Sequence, residues 1–549
     1  MTVTLLHDLL DRQSASTPDA PALTRGDTTW TYRELREHSQ VLAAHLADQG
    51  VGRGDRVLVL APHAAETVAA LFAASRLGAM YCVVSDQTRP YHLRHILADS
   101  EPAVVLATGE AAAHVEGQSG CTVQWYDART QSSPVVATSR EAESRQTGAS
   151  VAAASPSADN RQTDVPLAAA SPSADNRQPR VPVDAAPPSA ESRQPCISVD
   201  AVALTYTSGS TAMPKAVVST HRQVLFAASA VQEVLRYQAG DRIFSCLPLS
   251  FDYGLYQVYL ACASGAHLVL GDSSQAGPGL LTALRDHGAT VLPLVPSLAS
   301  NLLRLLARSD SAPPPLRLVT NTGAALSPGL SAQLRQAVPN LAVVPMYGLT
   351  ECKRVSIGEP DLDLVRPGSV GRPLRDTEVY AAGPDGLPLP AGQTGELVVR
   401  GPHVMAGYWR APELTAARFA RDEIGQPLLR TGDRGRVDAD GYLYFAGRDD
   451  DQYKQRGFRV SAVEVEAAAL DIPGVRLAAV LPPADGHEAV LAVSADMPVT
   501  HLAKELGERL DPVKLPSAYR VLDELPLSVN GKVDKRALAE TLRAPGAAV

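Results

Sequence analysis

The sequence predicts an α/β protein: a large N-terminal body with parallel-rich sheets flanked by helices, followed by a small C-terminal α/β unit. Two observations carry that expectation. Helix and strand patterns alternate from the N-terminus onward, which implies a parallel sheet covered on both faces. After Asp450 a second, smaller set of strand and helix patterns runs to the C-terminus. At 549 residues the chain is also too long for one ordinary core.

Tyr32 to Leu46 places apolar residues at helical spacing, with Thr31 in position to cap the first turn. Arg56 to Ala61 reads as a buried strand, Thr67 to Leu77 as a helix and Ala103 to Thr108 as another strand. Strand signals continue at Ala266–Leu270, Thr290–Leu294 and Leu341–Pro345, and shorter strands follow at Gly395–Arg400 and Gly441–Phe445.

Between about residues 130 and 195 the texture changes. Ala142-Glu-Ser-Arg-Gln146 recurs as Ala-Asp-Asn-Arg-Gln from Ala158 and Ala174 and as Ala-Glu-Ser-Arg-Gln from Ala190, each start 16 residues after the last. The segment is rich in Ala, Ser and Pro and poor in aromatic and large aliphatic residues. It lacks the surface to fold alone, so a disordered insertion in a surface loop is expected.

Composition narrows the function. Hydrophobic residues make up 45% and charged residues 20%, as in globular proteins, and the net charge of −9 favours neither nucleic acid nor an anionic membrane. The N-terminal run MTVTLLHDLLDRQ is interrupted by His and Asp, unlike a secretory signal, and no apolar stretch is long enough to span a bilayer. The six cysteines are scattered without a C-x-x-C pair, which points to a reducing cytoplasm rather than to disulfides or zinc.

The chemistry centres on Thr207-Ser-Gly-Ser-Thr-Ala-Met-Pro-Lys215, which follows an apolar, β-prone run. With little side-chain bulk, its N–H groups and hydroxyls can converge on one anion, and Lys215 adds a charge. The Walker spacing is absent. Tyr347-Gly-Leu-Thr-Glu-Cys352 follows a strand, at the end of a sheet where ligands of open α/β folds bind. There Tyr347 can stack on a base, while Thr350 and Glu351 can hold a phosphate and its Mg²⁺. Thr431-Gly-Asp433 reads as a tight turn presenting a carboxylate to two ribose hydroxyls. A charged run follows, Gly447-Arg-Asp-Asp-Asp-Gln-Tyr-Lys-Gln-Arg-Gly-Phe-Arg-Val460. Near the end, Pro526-Leu-Ser-Val-Asn-Gly-Lys-Val-Asp-Lys535 places Lys532 after an Asn-Gly turn.

This combination resembles the AMP-forming superfamily of acyl-CoA synthetases, peptide-synthetase adenylation domains and luciferases. The resemblance covers nearly the whole chain except the repeat insertion. It implies that the C-terminal unit is a mobile lid (residues 450–549) hinged at Asp450 on an adenylation core (residues 1–449). It further implies that Thr207, Ser208, Gly209, Ser210, Thr211 and Lys215 hold pyrophosphate, that Tyr347 and Gly348 contact adenine, and that Glu351 binds Mg²⁺. Asp433, Arg448 and Lys454 would also contact ATP, and Lys532 would be the catalytic lysine with Thr350 and Glu351 beside it. The family usually carries Gly where this chain has Ala212 and Ala216. Were Ala212 held at positive φ, it would cost about 1–2 kcal/mol.

The resemblance also implies an acid pocket around Ser250-Phe-Asp-Tyr-Gly-Leu-Tyr256. Asp252 would pair with a substrate ammonium, or else with a donor from the protein. Tyr253, Tyr256, Thr320, Thr322, Met346, Arg354 and Val355 would line the pocket, Arg354 facing either an anionic side chain or solvent. The expected reaction activates a small amino acid with ATP and Mg²⁺ and passes it to the phosphopantetheine thiol of a separate carrier protein, no such domain following Lys532. CoA as acceptor, a non-amino carboxylic acid as substrate, and a silent nucleotide-binding protein remain open alternatives.

Overall fold

The computed structural model describes residues 3–60, 64–86, 88, 90–107, 115, 122–125, 136–137, 196–207, 213–323, 325–448, 452–455, 458–483, 488–510 and 514–543. The repeat insertion, apart from residues 136–137, lies outside these, as does Asp450.

Two large sheets build the body. The nine-stranded sheet has a parallel centre in which Val291–Leu294, Leu318–Asn321 and Ala342–Tyr347 lie side by side, next to Arg242–Ser245 and His267–Leu270. The eight-stranded sheet combines parallel Arg56–Leu60, Met80–Val84 and Val104–Ala107 with the antiparallel pair Ala201–Thr207 and Lys215–Thr220. Helices Leu6–Ser16, Ala65–Leu77, His221–Leu235 and Asp252–Ser264 pack on one another and join the main apolar core. Ala65–Leu77 and Asp252–Ser264 are buried over most of their length, which is why their sequences are apolar on all sides rather than striped.

Local signals locate most elements well. The helix Tyr32–Asp48 begins where Thr31 accepts from Glu34 N and the Glu34 side chain returns to the Thr31 backbone, a complete capping box. The strands expected at Arg56 and Gly395 form as Arg56–Leu60 and Gly395–Arg400. Thr431-Gly432-Asp433 is a correction: it is no turn but part of the long strand Pro427–Val437, where the pairing with Gly395–Arg400 shifts register. Asp433 thereby lies opposite Arg448 on the next strand.

The smaller C-terminal part holds the hairpin Gln452–Gln455/Phe458–Ser461 and a three-stranded sheet of Val475–Leu481, Val490–Ala495 and Ala518–Leu522. It has an apolar core of its own around Val465, Leu491 and Leu502. Among the described residues no helix is long and apolar enough to cross a membrane.

Two histidines of the body, His221 and His403, are buried, and a third, His267, is half-buried. Burial pushes His221, His267 and His403 down to about 4 from the ordinary value of 6.5. The unfolded chain therefore takes up protons near pH 6.5 that the folded chain accepts only near 4. Their contribution to stability is complete above about pH 6.5 and is lost as the pH falls toward 4. Urea midpoints should decline through that window; a midpoint that stays level from about pH 7 to 4.5 contradicts this burial.

Candidate active site

A cavity of about 610 Å³ opens at the carboxyl ends of the parallel strands. Large-domain residues form most of its wall, and Val463, Asn530 and Lys532 of the smaller domain complete it. Lys532 Cε lies 3.3 Å from the position a Cβ would take at Gly323, so the lysine is brought inside from a distant part of the chain.

The acid end is built around Asp252, the first residue of helix Asp252–Ser264, where the helix dipole favours a carboxylate. Its Oδ1 accepts from Lys353 Nζ at 2.9 Å, and both side chains are buried. Asp252 Oδ2 is buried without a hydrogen-bond partner among the described residues. Lys353 has a φ of +63°, an unfavourable conformation for a residue with a side chain. Beside it Arg354 lies over the Tyr253 ring at 5.2 Å, donates from Nη1 to Lys353 O at 3.0 Å and contacts Thr322 Oγ1 at 3.4 Å. Burial lowers the pKa of Arg354, and its Nε, like Asp252 Oδ2, is buried without a hydrogen-bond partner among the described residues. Gly348 permits this packing, because a Cβ there would lie 2.4 Å from Lys353 O and 2.9 Å from Arg354 Cα.

The proposed pocket residues divide into four groups. Tyr253, Thr322, Met346 and Arg354 line the cavity with Asp252. Tyr256 borders a smaller void of about 10 Å³ behind it, with its hydroxyl buried and without a partner among the described residues. Thr320 sits behind Tyr253, whose hydroxyl donates to Thr320 O at 2.6 Å. Val355 is a correction: it packs in a separate apolar cluster with Tyr347, Val379 and Leu397 instead of lining the pocket, because the chain turns back at Lys353 and its N–H bonds Tyr347 O.

At the other end of the cavity, Tyr347 donates to Asp433 Oδ2 at 2.6 Å and its ring lies 5.5 Å from that of Phe445. Gly348, Thr350 and Glu351 follow along the same wall. Glu351 Oε1 accepts from Tyr408 OH at 2.6 Å, and Tyr408 OH accepts from Lys215 Nζ at 3.0 Å. Lys215 also stands over the Tyr408 ring at 4.1 Å. Burial, then the Glu351 charge, raises the pKa of Tyr408, keeping its hydroxyl protonated as the donor. This chain of contacts joins the end of the small-residue loop to the carboxylate suited to a divalent cation.

Thr207 and Lys215 face each other across an antiparallel pair, and both line the cavity. Ser208, Gly209, Ser210, Thr211 and Ala212 lie outside the described residues, as do the side chains of Arg448 and Lys454. Two members of the site went unnoticed in the sequence. Lys353 could have been found by asking which cation neutralises a buried Asp252. Tyr408 carries no comparable signal: it is 57 positions from Glu351 and 193 from Lys215, and the pairing of Gly407–Tyr408 with Lys215–Thr220 brings them together.

Comparison with known proteins agrees with this geometry. Residues 10–409 match the model of the family described as AMP-binding enzyme. The crystal structure of VinN is 38% identical, covering 81% of this chain and 98% of VinN, with a TM-score of 0.65. VinN has also been solved with L-aspartate and with 3-methylaspartate. The anthranilate CoA ligase AuaEII shares the fold at a TM-score of 0.79 and 22% identity, over 98% of both chains. A dimodular nonribosomal peptide synthase of Bacillus subtilis (strain 168) is 29% identical over 97% of this chain, which spans 21% of that protein's length. The chain belongs to the AMP-binding enzymes, and its fold is that of the adenylate-forming ligases, with a large N-terminal and a small C-terminal domain.

Tyr408→Phe keeps the ring under Lys215 and removes both hydrogen bonds. The expected result is a KM for ATP raised about tenfold with the KM for the acid unchanged. An unchanged KM for ATP in steady-state assays would separate this network from nucleotide binding.

Proposed function

We propose that this protein activates an amino acid bearing a second anionic group as its acyl-adenylate, releases pyrophosphate, and transfers the acyl group to the phosphopantetheine thiol of a carrier protein. The observation that carries the reading is the pair of buried, unpartnered polar atoms at the acid end, Asp252 Oδ2 and Arg354 Nε. An acceptor and a cationic donor left without partners in one pocket call for a ligand with an ammonium and an anion of its own. Lys353 neutralises Asp252, so Arg354 remains as an uncompensated positive charge for that anion. The complexes of VinN with L-aspartate and 3-methylaspartate support an acid of this class. The peptide-synthetase relatives support a carrier-protein thiol over CoA as the acceptor.

In the first step a carboxylate oxygen of the substrate bonds to the α-phosphorus of ATP while the bond from that phosphorus to the bridging oxygen breaks. Two anions approach each other, and Lys532, reaching into the cavity, relieves their repulsion and the charge that grows between them. Glu351 and Thr350 are the oxygen donors suited to Mg²⁺, which would neutralise departing pyrophosphate. Lys215 adds positive charge on the same side, while Tyr347 and Asp433 are suited to the nucleoside. In the second step the thiol sulfur attacks the acyl carbonyl and AMP leaves.

ATP–pyrophosphate exchange across amino and simple carboxylic acids tests the reading. Exchange should be strongest with aspartate-like acids, and Arg354→Leu should reduce their preference over the corresponding neutral amide at least about tenfold. No exchange with any acid, despite ATP binding, would defeat the enzyme reading, and exchange confined to acids without an amino group would overturn the role of Asp252. Lys532→Ala should lower exchange by about a hundredfold or more while ATP binding persists; near-normal exchange would remove Lys532 from catalysis.

A further inference from the structure

The hairpin carrying Lys532 is closed by its own backbone. Leu527 and Val533 bridge its arms, Ser528 N donates to Lys532 O at 2.7 Å, and Gly531 N donates to Ser528 O at 2.9 Å. Its tip enters a notch at the start of the large-domain helix Pro296–Leu306. There Ser297 Oγ donates to Gly531 O at 2.8 Å. Gly531 has a φ of +71°, and a Cβ on it would lie 2.8 Å from Val295 Cγ2 and 3.0 Å from Ser297 Oγ. The hairpin backbone thus lies flush against the helix end, which only glycine allows. Nearby on the same helix, Ser300 Oγ is 3.1 Å from Arg476 O of the small domain and 3.0 Å from Pro296 O of its own helix.

The Gly531 carbonyl belongs to the peptide unit that joins Gly531 to Lys532. A hydroxyl fixed to that oxygen sets the plane from which the lysine side chain departs toward Gly323. We infer that Ser297 is a positioning residue for Lys532, an anchor on the large domain that holds the small domain where its lysine reaches the α-phosphate. The inference rests on the adenylation reading above. It assigns Ser297 to one half-reaction only, because attack of a thiol on a finished adenylate involves no carboxylate approaching the α-phosphate.

The two half-reactions of the full-length protein can be measured separately: exchange for adenylation, and single-turnover transfer from supplied acyl-adenylate to pantetheine. Ser297→Ala should slow exchange about tenfold at unchanged KM for ATP and acid, leave transfer at the wild-type rate, and be rescued by Ser297→Thr. Exchange within about twofold of wild type overturns the inference, as does an equal loss in both half-reactions or a loss that Thr does not restore. If the wild type exchanges with no acid, the proposed function has failed and the anchor is read chemically. Acetylation of Lys532 by acetic anhydride, followed by mass spectrometry, should be faster in Ser297→Ala; equal rates overturn the anchor.

Discussion

The ion pair between Asp252 and Lys353 is the interaction on which the acid end of this molecule depends. A buried carboxylate at a helix start is costly without a cation, and the cation comes from a residue held at positive φ immediately after the Tyr347–Cys352 segment. That arrangement fixes the neighbours. Lys353 folded inward brings Arg354 over Tyr253, and Gly348 leaves room for both. The pair leaves Asp252 Oδ2 and, beside it, Arg354 Nε without hydrogen-bond partners among the described residues, and the proposed substrate class rests on those two atoms.

The rest of the cavity is joined to this corner through the backbone. The strand Ala342–Tyr347 runs into Gly348, Thr350 and Glu351, so one continuous segment serves both the acid end and the carboxylate proposed for Mg²⁺. Tyr408 ties that carboxylate to Lys215 across a sheet edge, and Tyr347 is hydrogen-bonded to Asp433 on a third sheet. Val463, Asn530 and Lys532 reach the cavity from the smaller domain, outside this framework. A reaction that needs positive charge between two anions for a short time is well served by a group carried on a separate domain.

Much of this was legible in the sequence where local rules decide the outcome. The capping box at Thr31 and the apolar runs at Arg56 and Gly395 specify their elements through neighbouring residues alone. The motifs around Thr207, Tyr347, Asp433 and Lys532 likewise converge on one cavity as their resemblance to adenylate-forming enzymes implied. What escaped depends on distant partners. Lys353 lies 101 positions from Asp252, and no pattern near either announces the pair, although the cost of burying Asp252 required some cation. The family resemblance places Val355 in the pocket, yet a backbone turned at Lys353 sends it into an apolar cluster. Thr431-Gly432-Asp433 has the composition of a turn, but it is an irregularity inside the strand Pro427–Val437, with Gly432 at a φ of +70° and Asp433 opposite Arg448.

The most direct test of this account is a double-mutant cycle on the central pair, measured by urea denaturation of Asp252→Asn, Lys353→Met and the double variant. Each single change leaves one buried charge uncompensated and should cost about 3–5 kcal/mol, while the double variant should recover most of that loss. If the two single losses simply add in the double variant, Asp252 and Lys353 are not energetically coupled, and the ion pair is not the constraint that organises the site.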